Sequence, residues 1–206
     1  MKNSALIIVD PQYDFMPGGA LEVKDGDKII PIVNKLIPKF DLIIITQDWH
    51  PRNHKSFASQ HEGKKEFDVI DLNGIEQVLW PDHCIENEPG SRIHKDINLK
   101  DIKGPIYIFR KGIDPEVDSY SGFFDNKRKN STGLSRFLKE DKNITDIYVT
   151  GLAQDFCAGF TALDGVNEGF NTYFVLDATR AIDPENNEMI EKLKENNVKI
   201  INSKDI

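Results

Sequence analysis

The stretch Ala5-Leu6-Ile7-Ile8-Val9-Asp10 is five consecutive apolar residues closed by an acid. A run that short and unbroken is what a strand buried on both faces requires, and such strands belong to parallel sheets. Leu42 to Ile45, Ile106 to Phe109, Ile147 to Val149, Tyr173 to Leu176 and Val198 to Ile201 are further strand-like runs. Segments of helical period lie between them. Ile29, Ile30, Val33, Leu36 and Ile37 form one, with Pro31 tolerated in a first turn. Leu134, Phe137 and Leu138 mark a second, and a third runs from Cys157 through about Glu168. A fourth carries Met189, Ile190 and Leu193, for which Asp183-Pro184 reads as an N-cap and first helical residue. This alternation predicts one α/β domain over residues 1–206, a parallel sheet with helices on both faces. Residues 51–104 break the rhythm with Pro51, Gly63, Pro81, Pro89 and Gly90, and an excursion of that length is usually functional.

In such sheets ligands bind beyond the carboxyl ends of the strands. Reactive residue types sit at four of those ends: Asp10 after the first strand, Asp48 and His50 after the second, Lys111 after the third and Cys157 after the fourth. A thiol at a helix N-terminus beside a lysine is expected to drop from a pKa of about 8.5 into the range of roughly 3.5–7.5. Lys111 can supply that charge, and Asp10 can take the thiol proton and later pass it to a leaving amine. The backbone N–H groups of Ala153 and Cys157 are candidates for an oxyanion hole, each donor worth about 2.7–4 kcal/mol. The plain alternative is a core cysteine, a surface lysine and a capping aspartate, which becomes a poor account once all three fall at strand ends.

Asp48 and His50, two apart in an extended segment, point to one side and can share a divalent metal. His83, within Trp80-Pro81-Asp82-His83-Cys84, is the obvious third ligand. Three protein ligands with open positions mark a working site, since structural zinc is usually closed by four. His54, His61 and His94 compete for the same place, His54 being nearest to His50 in sequence.

The bulk composition narrows the function. The chain has 206 residues with 26 Lys plus Arg against 34 Asp plus Glu, a formal charge of −8. That balance speaks against nucleic acid and anionic membranes as partners. No apolar run approaches the roughly 20 residues of a membrane helix. The N-terminus reads as a first strand and not as a signal peptide. Cys84 and Cys157 are the only cysteines, so a cytoplasmic setting without disulfides is expected. The oligomeric state stays open, a homo-oligomer included.

These residues resemble the cysteine hydrolases of the isochorismatase-like superfamily, and within it the nicotinamidases. The resemblance spans almost the whole chain. It is carried by Ile8-Val9-Asp10-Pro11-Gln12-Tyr13-Asp14-Phe15, Gln47-Asp48-Trp49-His50-Pro51-Arg52-Asn53-His54 and Trp80-Pro81-Asp82-His83-Cys84. Arg110-Lys111-Gly112, Tyr120-Ser121-Gly122-Phe123 and Gly151-Leu152-Ala153-Gln154-Asp155-Phe156-Cys157 complete it. The resemblance implies a Rossmann-like three-layer α/β/α fold with a mostly parallel central sheet, and a catalytic Asp10, Lys111, Cys157 triad. It implies one divalent metal on Asp48, His50 and His83, with zinc first and iron or manganese as alternatives. It implies a substrate ring packed by Phe15, Leu21, Trp80 and Tyr120, and a non-proline cis peptide before Ala153. The activity implied is hydrolysis of nicotinamide to nicotinate and ammonia, a step of NAD salvage, through a thioester.

Three rival readings use the same residues. One is an amidohydrolase of the same superfamily acting on a carbamoyl or ureido amide. Another is a zinc hydrolase whose metal-bound water attacks while Cys157 is incidental. The last is a catalytically silent binding module. Isochorismatase activity itself has no need for the Asp48, His50, His83 set.

Overall fold

The computed structural model describes residues 3–100, 102 and 104–206. Among them, strands β1 (Ser4–Val9), β2 (Ile43–Asp48), β5 (Ile106–Lys111), β6 (Asp146–Leu152), β7 (Asn171–Arg180) and β8 (Lys199–Ile201) form one sheet, in the order β5-β2-β1-β6-β7-β8. Every pairing in it is parallel, so the expected mostly parallel sheet is wholly parallel among the described residues. Side chains alternate across β1. Ala5, Ile7 and Val9 enter one core, and Leu6 and Ile8 enter the other. The first core is closed by α2 (Leu134–Arg136), α3 (Cys157–Asn167) and α4 (Glu188–Glu195), and the second by α1 (Ile30–Leu36). This is the three-layer α/β/α arrangement. Each fully buried Leu or Ile of β1 contributes about 1.5–3 kcal/mol, so the unbroken apolar run needs both layers. No helix among the described residues is long and apolar enough to cross a membrane.

Three local expectations are corrected. The 51–104 excursion contains an antiparallel hairpin, β3 (Val69–Leu72) with β4 (Ile75–Val78); positions 101 and 103 of that stretch lie outside the described residues. Asp183-Pro184 does not start the last helix, which begins at Glu188 after Asn187. Asp183 instead closes its own turn: its carboxylate accepts the Glu185 N–H and its carbonyl the Asn186 N–H. The helix marked by Leu134 is one α turn continued as a π turn over Phe137–Asp141.

The chain runs from β1 outward through β2 to β5, then crosses back to β6 on the other side of β1. The carboxyl ends of β5, β2, β1 and β6 therefore stand side by side at the point where the winding reverses, which is where such sheets bind ligands. Close approach of β6 to β1 depends on Gly151, at φ +107, where a Cβ would stand 2.1 Å from the Val9 carbonyl oxygen. Overpacking and a positive φ together cost roughly 2–4 kcal/mol. Gly151→Ala is expected to lower unfolding stability by about that amount in chemical denaturation.

Candidate active site

Lys111 ends β5 with its side chain buried, and its ammonium is the hub of the rim. Nζ donates to Asp48 Oδ1 at 2.5 Å, to the Ser119 carbonyl at 2.9 Å and to Cys157 Sγ at 3.3 Å. Those three contacts use its three N–H bonds. Asp10 Oδ2 lies 2.9 Å from the same nitrogen as an ion pair, yet it accepts no aligned hydrogen bond. The other Asp10 oxygen is held by the Thr46 hydroxyl at 2.6 Å. Asp10 sits at φ +45, a left-handed turn that aspartate tolerates, and this turn carries the chain off the sheet at the end of β1. The structure thus brings Asp10, Lys111 and Cys157 into one buried cluster, with Asp48 as a fourth member. Carboxylate oxygens of Asp10 and Asp48 and the Cys157 sulfur all lie within 4.8 Å of one another.

The charges follow from burial and pairing. Burial raises the Asp10 carboxyl to about 6, against the pull of Lys111. Burial also favours a neutral Asp48, but Lys111 and then His50 outweigh it and hold that carboxyl well below the usual range. Burial opposes the Lys111 ammonium, while Asp10 and Asp48 overcome this and keep it charged far into the alkaline range. Cys157 differs from expectation. Burial pushes its thiol well above the ordinary value and Lys111 offsets this only in part. Lys111 favours the thiolate, as expected, but burial and the nearby carboxylates outweigh it.

Asp48 Oδ2 faces two imidazoles, 3.6 Å from His50 Nε2 and 3.8 Å from His83 Nε2. His50 Nδ1 lies 2.9 Å from the Gly112 carbonyl and His83 Nδ1 2.8 Å from that of Pro81. A carbonyl only accepts, so each Nδ1 carries the proton and each Nε2 turns a lone pair toward Asp48 Oδ2. Carbonyl-anchored imidazoles and a carboxylate are the donor set of a divalent metal, and the residues fit one. Among the competing histidines, His54 is buried against His50, with ring centroids 4.5 Å apart and its Nε2 unpartnered. Burial and then His50 push it down to about 4, so it is neutral. His61 is turned to the Lys55 carbonyl, and His94 packs on Tyr13.

A small cavity opens over the sulfur, lined by Phe15, Leu21, Trp80, Tyr120, Asp48, His83, Ala153 and Cys157. The four expected ring contacts all line it. Trp80, Tyr120 and Phe156 meet edge to face, with centroids 4.8 to 6.2 Å apart. Asp118, Phe156 and Ile182 also line it. Sequence reading missed these three, and only Phe156, adjacent to the cysteine, carried any local signal. The peptide before Ala153 is cis. In the loop leading into α3, the N–H groups of Gln154, Phe156 and Ala158 are committed to backbone carbonyls, while Ala153 and Cys157 border the cavity.

Comparison with known proteins agrees with this architecture. The isochorismatase domain family matches residues 4–205. The nicotinamidase of Acinetobacter baylyi is 48% identical over 181 residues, 88% of this chain and 83% of the relative. A solved nicotinamidase/pyrazinamidase of Acinetobacter baumanii superposes with a TM-score of 0.94 at 42% identity, covering 100% of this chain and 98% of the other. A pyrazinamidase of Pyrococcus horikoshii, solved in complex with zinc, gives a TM-score of 0.77 at 37% identity over 97% and 99% of the two chains. The match to the domain family over nearly the whole chain and these identities lead to one conclusion: the chain belongs to the isochorismatase family and, within it, to the nicotinamidase group.

Proposed function

We propose that this protein is a cysteine amidohydrolase that converts nicotinamide to nicotinate and ammonia, with Asp10, Lys111 and Cys157 as its catalytic residues. The observation that carries the reading is the Lys111 ammonium in simultaneous contact with Asp10, Asp48 and the Cys157 sulfur, with that sulfur and Asp48 bordering an aromatic-lined cavity. The resting thiol is neutral, so attack and deprotonation go together. As sulfur bonds to the carboxamide carbon, the S–H proton passes to the unfilled Asp10 Oδ2. The oxyanion is met by the N–H groups of Ala153 and Cys157, and Lys111 balances the charge moving between sulfur and carboxylate. Asp10 then protonates the departing nitrogen, ammonia leaves and a thioester remains. Water attacks the thioester with Asp10 again as base, releasing the acid and restoring the thiol. Phe15, Leu21, Trp80 and Tyr120 hold the ring and keep bulk water out. Asp48, His50 and His83 would hold a divalent ion, zinc in this reading, which would supply a Lewis-acid position for a pyridine nitrogen.

Ammonia release gives the first test. Cys157→Ala and Asp10→Asn are each expected to lose about 10⁴-fold or more in kcat, because members of such a unit fail together. Substantial turnover by Cys157→Ala would transfer the chemistry to a metal-bound water.

The pH dependence gives the second. Asp10 is raised to about 6, so its basic form is lost as pH falls through that value. The kcat/KM profile is expected to bend there and fall about tenfold per unit below it. The thiol is raised as well, so alkylation of Cys157 should keep accelerating from pH 6 to about 9 without levelling off.

Substrate choice gives the third. Benzamide, which lacks the ring nitrogen, is expected to trail nicotinamide on the order of 10²-fold or more in kcat/KM. Parity between the two, or a faster carbamoyl or ureido amide, would refute the nicotinamide assignment.

A further inference from the structure

Gln12 follows Asp10 by two residues, is fully buried and does not line the cavity. Its side-chain amide is nonetheless fully used. Nε2 donates to the Asp48 carbonyl at 2.8 Å and to the Ser91 carbonyl at 2.9 Å, and Oε1 accepts the Asp48 N–H at 2.8 Å. Two carbonyl partners on one side and an N–H on the other fix which way the amide faces.

The reason lies in the sheet. β1 pairs with β2 as far as Ile8 and Ile45, then leaves at the Asp10 turn. At Asp48 the other edge of β2 is still paired, to Lys111 of β5. The edge toward β1 has lost its strand, and the Gln12 carboxamide stands in for the missing peptide. It offers the donor and acceptor that a neighbouring strand would have given. The residue held this way is the one whose carboxylate divides between two tasks, Oδ1 toward Lys111 and Oδ2 toward His50 and His83.

We infer that Gln12 is a positioning residue for the metal centre: by clamping the Asp48 peptide on both sides, it sets the metal affinity of a site it does not touch. The inference rests on the metal reading proposed above. Outer-sphere partners of metal ligands typically govern affinity by 10- to 100-fold.

The test is zinc affinity of the purified chain, measured by competition with a chromogenic chelator, alongside thermal unfolding of the metal-free protein. Gln12→Met keeps length and removes all three hydrogen bonds. Gln47→Met is the control, because Gln47 also donates to the Ser91 carbonyl, at 2.8 Å, from a buried position but makes no hydrogen bond to the Asp48 peptide. Zinc should bind about 10–100-fold more weakly to Gln12→Met and within about threefold of wild type to Gln47→Met. A merely structural role would lower both unfolding temperatures and leave zinc affinity alone. Affinity within about threefold of wild type in Gln12→Met, or an equal loss in Gln47→Met, overturns the inference. Wild-type chain labelled with ¹⁵N in its glutamine side chains needs no variant. The Gln12 NH₂ signals should exchange slowly and shift on adding zinc, and signals that stay unmoved refute the clamp. Wild type that takes up no zinc fells the metal reading and this inference together. Wild type that binds zinc while the variants bind it equally well fells this inference alone.

Discussion

A lysine ammonium on a fully buried side chain cannot persist in a protein interior unless its charge is answered on nearly every side. In this fold the answers come from four places in the chain: Asp10 beyond β1, Asp48 at the end of β2, the Ser119 carbonyl in the loop after β5, and the Cys157 sulfur at the start of α3. Only the order β5-β2-β1-β6 sets those ends in a row. The requirement runs in both directions. Without the ammonium, two buried carboxylates would face each other with nothing between them, and without the sheet order the ammonium would have no partners.

The same crowding decides how the sulfur behaves. A surface cysteine beside a lysine is activated by becoming a thiolate. Here burial outweighs the lysine and leaves a neutral thiol. In the proposed reaction its reactivity depends on a proton path to Asp10, open when an acceptor carbon is in place. A protonated, enclosed sulfur is also slow to meet oxidants, which react with exposed thiolates. Asp48 extends the cluster toward the two histidines, so one carboxylate is shared by the Lys111 ammonium and the His50–His83 pair. Gly112 shows how little slack there is. At φ +65, a Cβ on it would stand 2.3 Å from the His50 ring.

What could be read from sequence was whatever is written locally. Ala5 to Val9 declared a doubly buried strand because both faces are apolar, and Asp10, Asp48, His50, Lys111 and Cys157 declared themselves by falling at strand ends, with His83 read from the Trp80–Cys84 stretch. The β3–β4 hairpin was hidden because only Leu72 and Gln77 of its strand residues are buried, while the apolar Val69 is 53% exposed, so no regular apolar face marks it. Asp183 had the chemistry of a cap and spent it on a turn. The protonation of Cys157 was illegible for a different reason. It depends on depth and on two carboxylates brought in by other strands, and neither leaves a mark near residue 157. Asp118 and Gln12 share that limit, since a lone acid in a serine-rich loop and a glutamine after a proline acquire meaning only from what the fold sets opposite them.

The claim on which the account stands is that the buried sulfur itself takes the acyl group. Acid-quenched single-turnover reactions of wild-type enzyme with nicotinamide, followed by peptide mass analysis, address it directly. The account predicts a nicotinoyl group on Cys157 that appears no more slowly than turnover and decays into nicotinate. Nicotinate that accumulates while the Cys157 peptide stays unmodified throughout, or acylation slower than product formation, would contradict it.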